Sequence, residues 1–115
     1  MYTYRTTTLR LQLIRHDDRI VFRDMNFGEV GYIQFTAFDD GLYIEYFEVY
    51  KPFRGMGYGT EMYEWVEKYA KHRGARRIIL TPYDSEVGFW REMGFKLGPM
   101  VLHSGVTYEM VKELR

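Results

Sequence analysis

The first fifty residues are dominated by short-period alternation of apolar and polar positions. Leu9, Leu11 and Leu13 are separated by polar residues, so Tyr4 to Ile14 reads as a half-buried strand. His16-Asp17-Asp18 turns the chain into a short second strand, Arg19 to Arg23, and Met25-Asn26-Phe27-Gly28 is the next turn. Ile33, Phe35 and Ala37 share one face of a third strand, and Asp39-Asp40-Gly41 is a hairpin signal leading into a fourth, Leu42 to Tyr50. From Tyr58 the period changes. Met62, Trp65, Val66, Tyr69 and Ala70 recur at helical spacing, with Glu64 to Lys68 and Glu67 to Lys71 placed for i,i+4 pairing on the other face. Gly74 stops this helix as a C′ residue. Arg77 to Leu80 is a buried fifth strand, and Asp84 or Ser85 caps a short helix ending at Gly94. Phe95 to Leu97 and Val106 to Val111 close the chain as strands around Pro99 and Ser104-Gly105. The pattern predicts an α/β (α+β) fold: a mixed, mostly antiparallel central sheet of about seven strands with one long and one short helix. Its fourth and fifth strands, joined by a helical crossover, form the one parallel pair.

The fourth strand breaks its own parity. Leu42 and Ile44 are apolar on one register, Phe47 and Val49 on the other, as one inserted residue near Tyr46 would produce. Such a bulge places Glu45 and Glu48 together on the face opposite the core and splays this strand from the fifth. The alternative is a regular strand with Tyr46 as an exposed aromatic.

Between the fourth strand and the long helix lies Arg54-Gly55-Met56-Gly57-Tyr58-Gly59. Glycines in a strand-to-helix turn let the backbone approach a ligand, and the helix N-terminus presents unpaired N–H groups and a positive dipole end to it. A phosphate or pyrophosphate suits that place; a plain tight connection is the bland alternative. No Lys-Ser/Thr pair follows, so this is not a Walker A loop, and the glycine spacing is not that of the dinucleotide fingerprint. The run also imitates an RNA-recognition strand, but the helical period that follows excludes it.

These residues resemble the GNAT N-acetyltransferase superfamily. Arg54-x-x-Gly57-x-Gly59 is similar to its R/Q-x-x-G-x-G/A signature, and Val49 stands at the family's distance before it, at the end of the preceding strand. Gly88-Phe89-Trp90-Arg91-Glu92-Met93-Gly94-Phe95 resembles the family's later aromatic helix followed by Gly-Phe. The resemblance implies an enzyme that transfers an acetyl group from acetyl-coenzyme A to a primary amine by direct attack in a ternary complex. It implies that Val49, Arg54, Gly55, Met56, Gly57, Tyr58, Gly59, Thr60 and Trp90 lie against the cofactor, the backbone N–H groups from Met56 to Thr60 holding the pyrophosphate. An alkyl amine is mostly protonated at neutral pH, so a base is needed. Glu45 is the first candidate by analogy with polyamine-type members, Glu48 the reserve. Relatives use a tyrosine to protonate the leaving thiolate where this chain has Trp90; Tyr83 is the candidate replacement. The family's usual two helices after the first strand are missing here, which makes this a minimal form with an open acceptor side. The alternative is a non-catalytic acyl-coenzyme A binding or protein-interaction module on the same fold.

Composition narrows the partners. The 115 residues, 1–115, read as a single domain, and Lys plus Arg equals Asp plus Glu at 16 each, so there is no general attraction to nucleic acid or anionic membrane. The basic group Lys71, His72, Arg73, Arg76 and Arg77 sits at the wrong end of the helix for phosphates and suits its C-terminal dipole instead. Without cysteine there is no disulfide, thiolate nucleophile or zinc-thiolate site, and His16, His72 and His103 have no metal-ligand spacing, so no metal is expected. The N-terminus lacks an apolar targeting region and no run approaches membrane-spanning length, from which a cytoplasmic protein is expected. The missing helices leave sheet face and strand edges uncovered, from which a homodimer is expected; the eleven tyrosines and eight phenylalanines serve such an interface or, equally, core packing.

Overall fold

The computed structural model describes residues 2–5, 11–16, 19–102 and 106–114. The expected turns at Asp17-Asp18 and Ser104-Gly105, the middle of the expected first strand, and His103 lie outside the described residues. Among those described, one sheet contains eight strands in the order β1-β2-β3-β4-β5-β6-β8-β7. They are β1 (Tyr2–Arg5), β2 (Leu11–His16), β3 (Arg19–Asp24), β4 (Gly28–Phe38), β5 (Gly41–Val49), β6 (Arg77–Leu80), β7 (Lys96–Leu102) and β8 (Val106–Glu113). The long helix α1 (Tyr58–His72) joins β5 to β6, and the short helix α2 (Val87–Glu92) precedes β7.

Each neighbouring pair is antiparallel except β5 and β6, which run parallel from Gly41↔Arg77 to Ile44↔Leu80, as the helical crossover demands. Three local expectations differ from the structure. The segment from Tyr4 to Ile14 divides into β1 and β2, which pair antiparallel with Tyr4 opposite Leu13; alternation cannot distinguish one long strand from two that fold back. Pro99 lies within β7, where the register with β8 shifts between Leu97 and Met100; proline is tolerated at such an irregularity because no ladder N–H is needed there. Neither Asp84 nor Ser85 caps α2: they lie in a 3-10 turn, Asp84–Glu86, whose N-cap Tyr83 N–H is capped by the Glu86 side chain, while α2 itself has no side-chain cap bond.

The core lies on one face of the sheet. Leu13, Phe22, Ile33, Leu42, Ile44, Ile78, Leu80 and Met110 pack with Tyr58, Met62, Tyr63, Val66 and Ala70 of α1 and Trp90 of α2 in one buried cluster. Of the helical stripe read from the sequence, Met62, Val66 and Ala70 are buried and Trp65 and Tyr69 are half-buried against the core, while Tyr63, outside that stripe, is buried too. Helix α1 ends through Arg73 onto Gly74, whose φ of 80° is the left-handed conformation that glycine accepts readily. The opposite face carries Tyr32, Gln34, Thr36, Tyr43, Tyr46 and Glu48, half-buried or exposed. Among the described residues, the only helical segment before α1 is the 3-10 turn Lys51–Phe53.

Candidate acyl-carrier site

β5 is paired on both sides only in its first half. Its ladder with β6 stops at Ile44↔Leu80, whereas its ladder with β4 continues to Gly31↔Val49. The cause is the bulge that the parity break indicated: Phe35 pairs with Ile44 and Gln34 with Tyr46, leaving Glu45 as the inserted residue. Beyond it the strand has no sheet partner on the β6 side, so backbone groups directed there are available to an extended ligand. A cleft of about 920 Å³ occupies this opening, bounded by Glu45 to Val49 on one wall and Leu80 to Tyr83 on the other, with Ser85, Phe89 and Trp90 from the short helical region. Its far end is formed by Phe53, Arg54, Gly55, Gly57, Tyr58, Gly59 and Thr60.

The glycine loop has the conformation its sequence requires. Gly55 and Gly57 have φ of 80° and 87°, and Gly57 is the N-cap of α1 without any side-chain cap bond. The N-terminal N–H groups of a helix have no carbonyl within it to bond, so this end offers donors and a positive dipole to the cleft. Gly59 is closely packed: a Cβ there would lie 3.3 Å from the Phe89 ring, which would have to give by a few tenths of an ångström, and in ordinary contact, 3.7 Å, with the Val49 side chain. Size, donors and a backbone left bare by glycine fit the diphosphate and the extended arm of an acyl-coenzyme A. Arg54 does not reach into the cleft as a free cation; its Nε donates to the Val49 carbonyl at 2.7 Å and its guanidinium lies 3.7 Å from the Glu48 carboxylate. It fixes the loop to the end of β5.

Glu45 and Glu48 share the face opposite the core, as the bulge requires. Glu45 accepts a hydrogen bond from the Thr36 hydroxyl at 2.8 Å, so Thr36 orients it. Thr36 was not legible in the sequence as a site residue, because only the β4–β5 register brings it beside Glu45. Tyr83 is 78% exposed at the cleft wall, and its N–H donates to Glu86, which sets the course of the chain there. Trp90 is 3% exposed and forms part of the floor, packed edge-on against Phe47, Tyr63 and Phe95. Tyr58 is likewise a core side chain, its hydroxyl donating to Asp24, so only its backbone belongs to the loop. Met56 is exposed beside the loop.

Beneath this floor lies a second polar group. Glu67 of α1 accepts hydrogen bonds from Lys112 Nζ and from the Tyr63 hydroxyl, and pairs with Lys71 at 3.0 Å. Burial alone would raise the Glu67 pKa, but the bonds from Lys112, Lys71 and Tyr63 outweigh it and hold the carboxyl below its ordinary range. Burial, with the neighbouring Glu67 charge, raises the Tyr63 phenol well above its usual value. Lys112 also donates to the Met93 carbonyl, tying β8 to the end of α2.

A splayed parallel pair with a glycine loop opening a helix at the end of the splay defines a mixed α/β fold with a cleft open to an extended anionic ligand. Residues 3–95 match the acetyltransferase (GNAT) family, and the chain belongs to that family. It is 38% identical over 60 residues to N-alpha-acetyltransferase 80 of Mus musculus, a match covering 52% of this chain and 19% of the mouse protein. The chain thus matches about a fifth of that relative's length. The fold is similar to that of Ard1 from Thermoplasma volcanium, with a TM-score of 0.72 at 19% identity over 84% of this chain and 70% of that one. It is also similar to an aminoglycoside 6′-N-acetyltransferase complexed with coenzyme A, with a TM-score of 0.74 at 16% identity over 85% and 74% of the two chains. Among the described residues no group of histidine, cysteine or carboxylate side chains could hold a metal ion, and no helix is long and apolar enough to cross a membrane.

Proposed function

We propose that this chain is an N-acetyltransferase domain that uses acetyl-coenzyme A as donor and a primary amine as acceptor, by direct attack in a ternary complex. The observation that carries the reading is the coincidence of the β5–β6 opening with the glycine-loop end of α1 in one cleft. The pantetheine arm lies along the unpaired half of β5, near Val49, and the diphosphate at the N–H groups from Met56 to Thr60, with Gly55, Gly57 and Gly59 admitting it and Arg54 holding the loop. Coenzyme A supplies the activated thioester; this chain's residues position it and move protons.

Glu45, held by Thr36, takes the proton from the acceptor ammonium, directly or through water, and frees the nitrogen lone pair. The nitrogen then bonds to the thioester carbonyl carbon, the C–S bond breaks as the thiolate leaves, and the nitrogen's remaining extra proton passes to water or to the phenolate left once sulfur is protonated. Tyr83, the phenol at the cleft wall, is the group to return a proton to sulfur; Trp90 cannot, because indole is not a usable acid and its ring is packed in the floor. Glu48 is the weaker candidate as base because it faces Arg54. A small amine or a protein amine fits an acceptor side left open on the sheet face with Tyr32 and Tyr46. Self-association through that face or through the β7 edge, and a cytoplasmic setting without nucleic-acid or membrane partners, complete the reading. Sedimentation showing a strict monomer at micromolar concentration would remove the dimer.

Calorimetric titration with acetyl-coenzyme A, followed by an acetyl-transfer screen over polyamines, small amines and peptide N-termini, tests the function. Binding with transfer to one class is expected. Binding without transfer to any class would identify a non-catalytic acyl-coenzyme A module instead.

A further inference from the structure

The turn between β3 and β4 carries two large apolar side chains in the open, Met25 at 75% and Phe27 at 58% exposure. Single exposed apolar residues are ordinary, but this turn is fixed to the site. Asp24, buried at the base of the turn, accepts the Tyr58 hydroxyl at 2.6 Å on one oxygen and the Asn26 N–H at 2.7 Å on the other. Tyr58 is the first residue of α1, so one carboxylate ties the turn to the helix end that forms the glycine loop. The Phe27 ring lies against Phe53, centroids 6.0 Å apart at 43°, and Phe53 meets Tyr58 edge-on at 6.3 Å. Phe53 also lines the cleft. An exposed aromatic surface therefore continues outward from the loop end of the cleft on an anchored scaffold.

We propose that Phe27 and Phe53 form a platform for a purine base, the adenine of the bound acyl-coenzyme A; the proposal rests on the acyl-coenzyme A reading of the cleft. In coenzyme A the diphosphate links the pantetheine arm to adenosine. With the arm in the β5–β6 opening and the diphosphate at the start of α1, adenosine emerges at the loop end, where Phe53 and then Phe27 are the surface it meets. A flat π-system packs on such exposed phenyl rings, and removing these apolar faces from water favours the contact. The Asp24–Tyr58 bond holds the platform in place before the ligand arrives, which lowers the ordering cost of binding.

The test is calorimetric titration of coenzyme A and of 4′-phosphopantetheine, which lacks the adenosine, into the wild type, Phe27→Ala and Phe27→Tyr, with sedimentation of each protein. Phe27 is exposed enough for these variants to keep the fold, which circular dichroism checks. Phe27→Ala should weaken coenzyme A by roughly tenfold and leave 4′-phosphopantetheine unchanged, with Phe27→Tyr restoring the affinity. Unchanged coenzyme A affinity in Phe27→Ala, or an equal loss for both ligands, overturns the platform while the acyl-coenzyme A reading stands. A dimer present in the wild type and lost in Phe27→Ala, with coenzyme A affinity unaltered, overturns it in favour of a second copy of this chain. A wild type that binds neither ligand fails before any substitution is made and overturns the acyl-coenzyme A reading itself.

Discussion

Two clusters built from the same residue types lie on either side of the short helix and are in opposite states. Under α2, Tyr63, Trp90 and Phe95 pack edge-on with centroids 5.2 to 5.7 Å apart, and the Glu67 carboxylate is occupied by Lys112, Lys71 and Tyr63. Along the cleft, Tyr46 and Tyr83 are 57% and 78% exposed, Glu45 accepts from Thr36, and Glu48 meets Arg54 only at 3.7 Å. A carboxylate whose acceptor positions are filled by cations is committed to holding elements together. One with a single orienting hydroxyl keeps capacity for an incoming ammonium. The aromatic rings divide the same way: edge-on packing in the closed cluster contributes to stability, while the open rings are surface a ligand can use.

The sharpest way to break this comparison is to exchange the roles. If Glu45 is the base, Glu45→Gln should lower turnover by roughly 10²- to 10⁴-fold with coenzyme A affinity nearly unchanged, and the residual rate should rise with pH as more amine arrives deprotonated. Steady-state kinetics beside calorimetry checks it, and an unaffected variant would transfer the role to Glu48 or to water. In the closed cluster the loss should instead be stability: Trp90→Ala should cost about 3–5 kcal/mol in urea unfolding, because a large ring leaves a cavity among Phe47, Tyr63 and Phe95. Between the two stands the loop. Gly57→Val forces a β-branched residue into a φ of 87° and brings a side chain to the donor end of α1, so coenzyme A affinity should fall by about 2–3 kcal/mol.

A smaller and pH-dependent effect is expected at Glu67. Its folded pKa is depressed, so its contribution is fully present above the ordinary value of 4.5 and is lost as pH falls through the folded value. Glu67→Gln should therefore destabilise by about 2 kcal/mol at pH 7 and by progressively less below pH 4.5, measured by urea unfolding across that range. Equal destabilisation at both ends would mean that the carboxylate charge is not what Lys112 and Lys71 require. The smallest effect belongs to the open cluster: Tyr46→Ala should change stability by no more than about 0.5 kcal/mol. A larger loss would show that the open face is covered in solution.

Much of the architecture is written in local order. Period-two alternation up to Tyr50, the change of period at Tyr58 and the stop at Gly74 place strands and helix because the side-chain geometry of each element is local. The parity break in β5 is also local: it indicated a bulge near Tyr46, and the register puts the inserted residue one position earlier, at Glu45, with the splay following from it. The helix cap was misread at Asp84 and Ser85 because capping depends on backbone angles that residue type only biases. The division of the first strand depended on pairing between β1 and β2, which alternation does not encode.

By itself, then, the sequence determined the strands from β3 to β6, the long helix, the parallel crossover and the glycine loop, since each follows from spacing along the chain. Tertiary structure decided which carboxylate is oriented and which is occupied. Thr36 and Glu45 are brought together by register, and Glu67 and Lys112 by the packing of β8 beneath α1. It also decided that Trp90 and Tyr58 are core side chains, and that Phe27 lies against Phe53. These are contacts between residues far apart in the chain, and their free energy depends on burial and distance, quantities that exist only once the sheet has closed its ladder and the helices have covered one face.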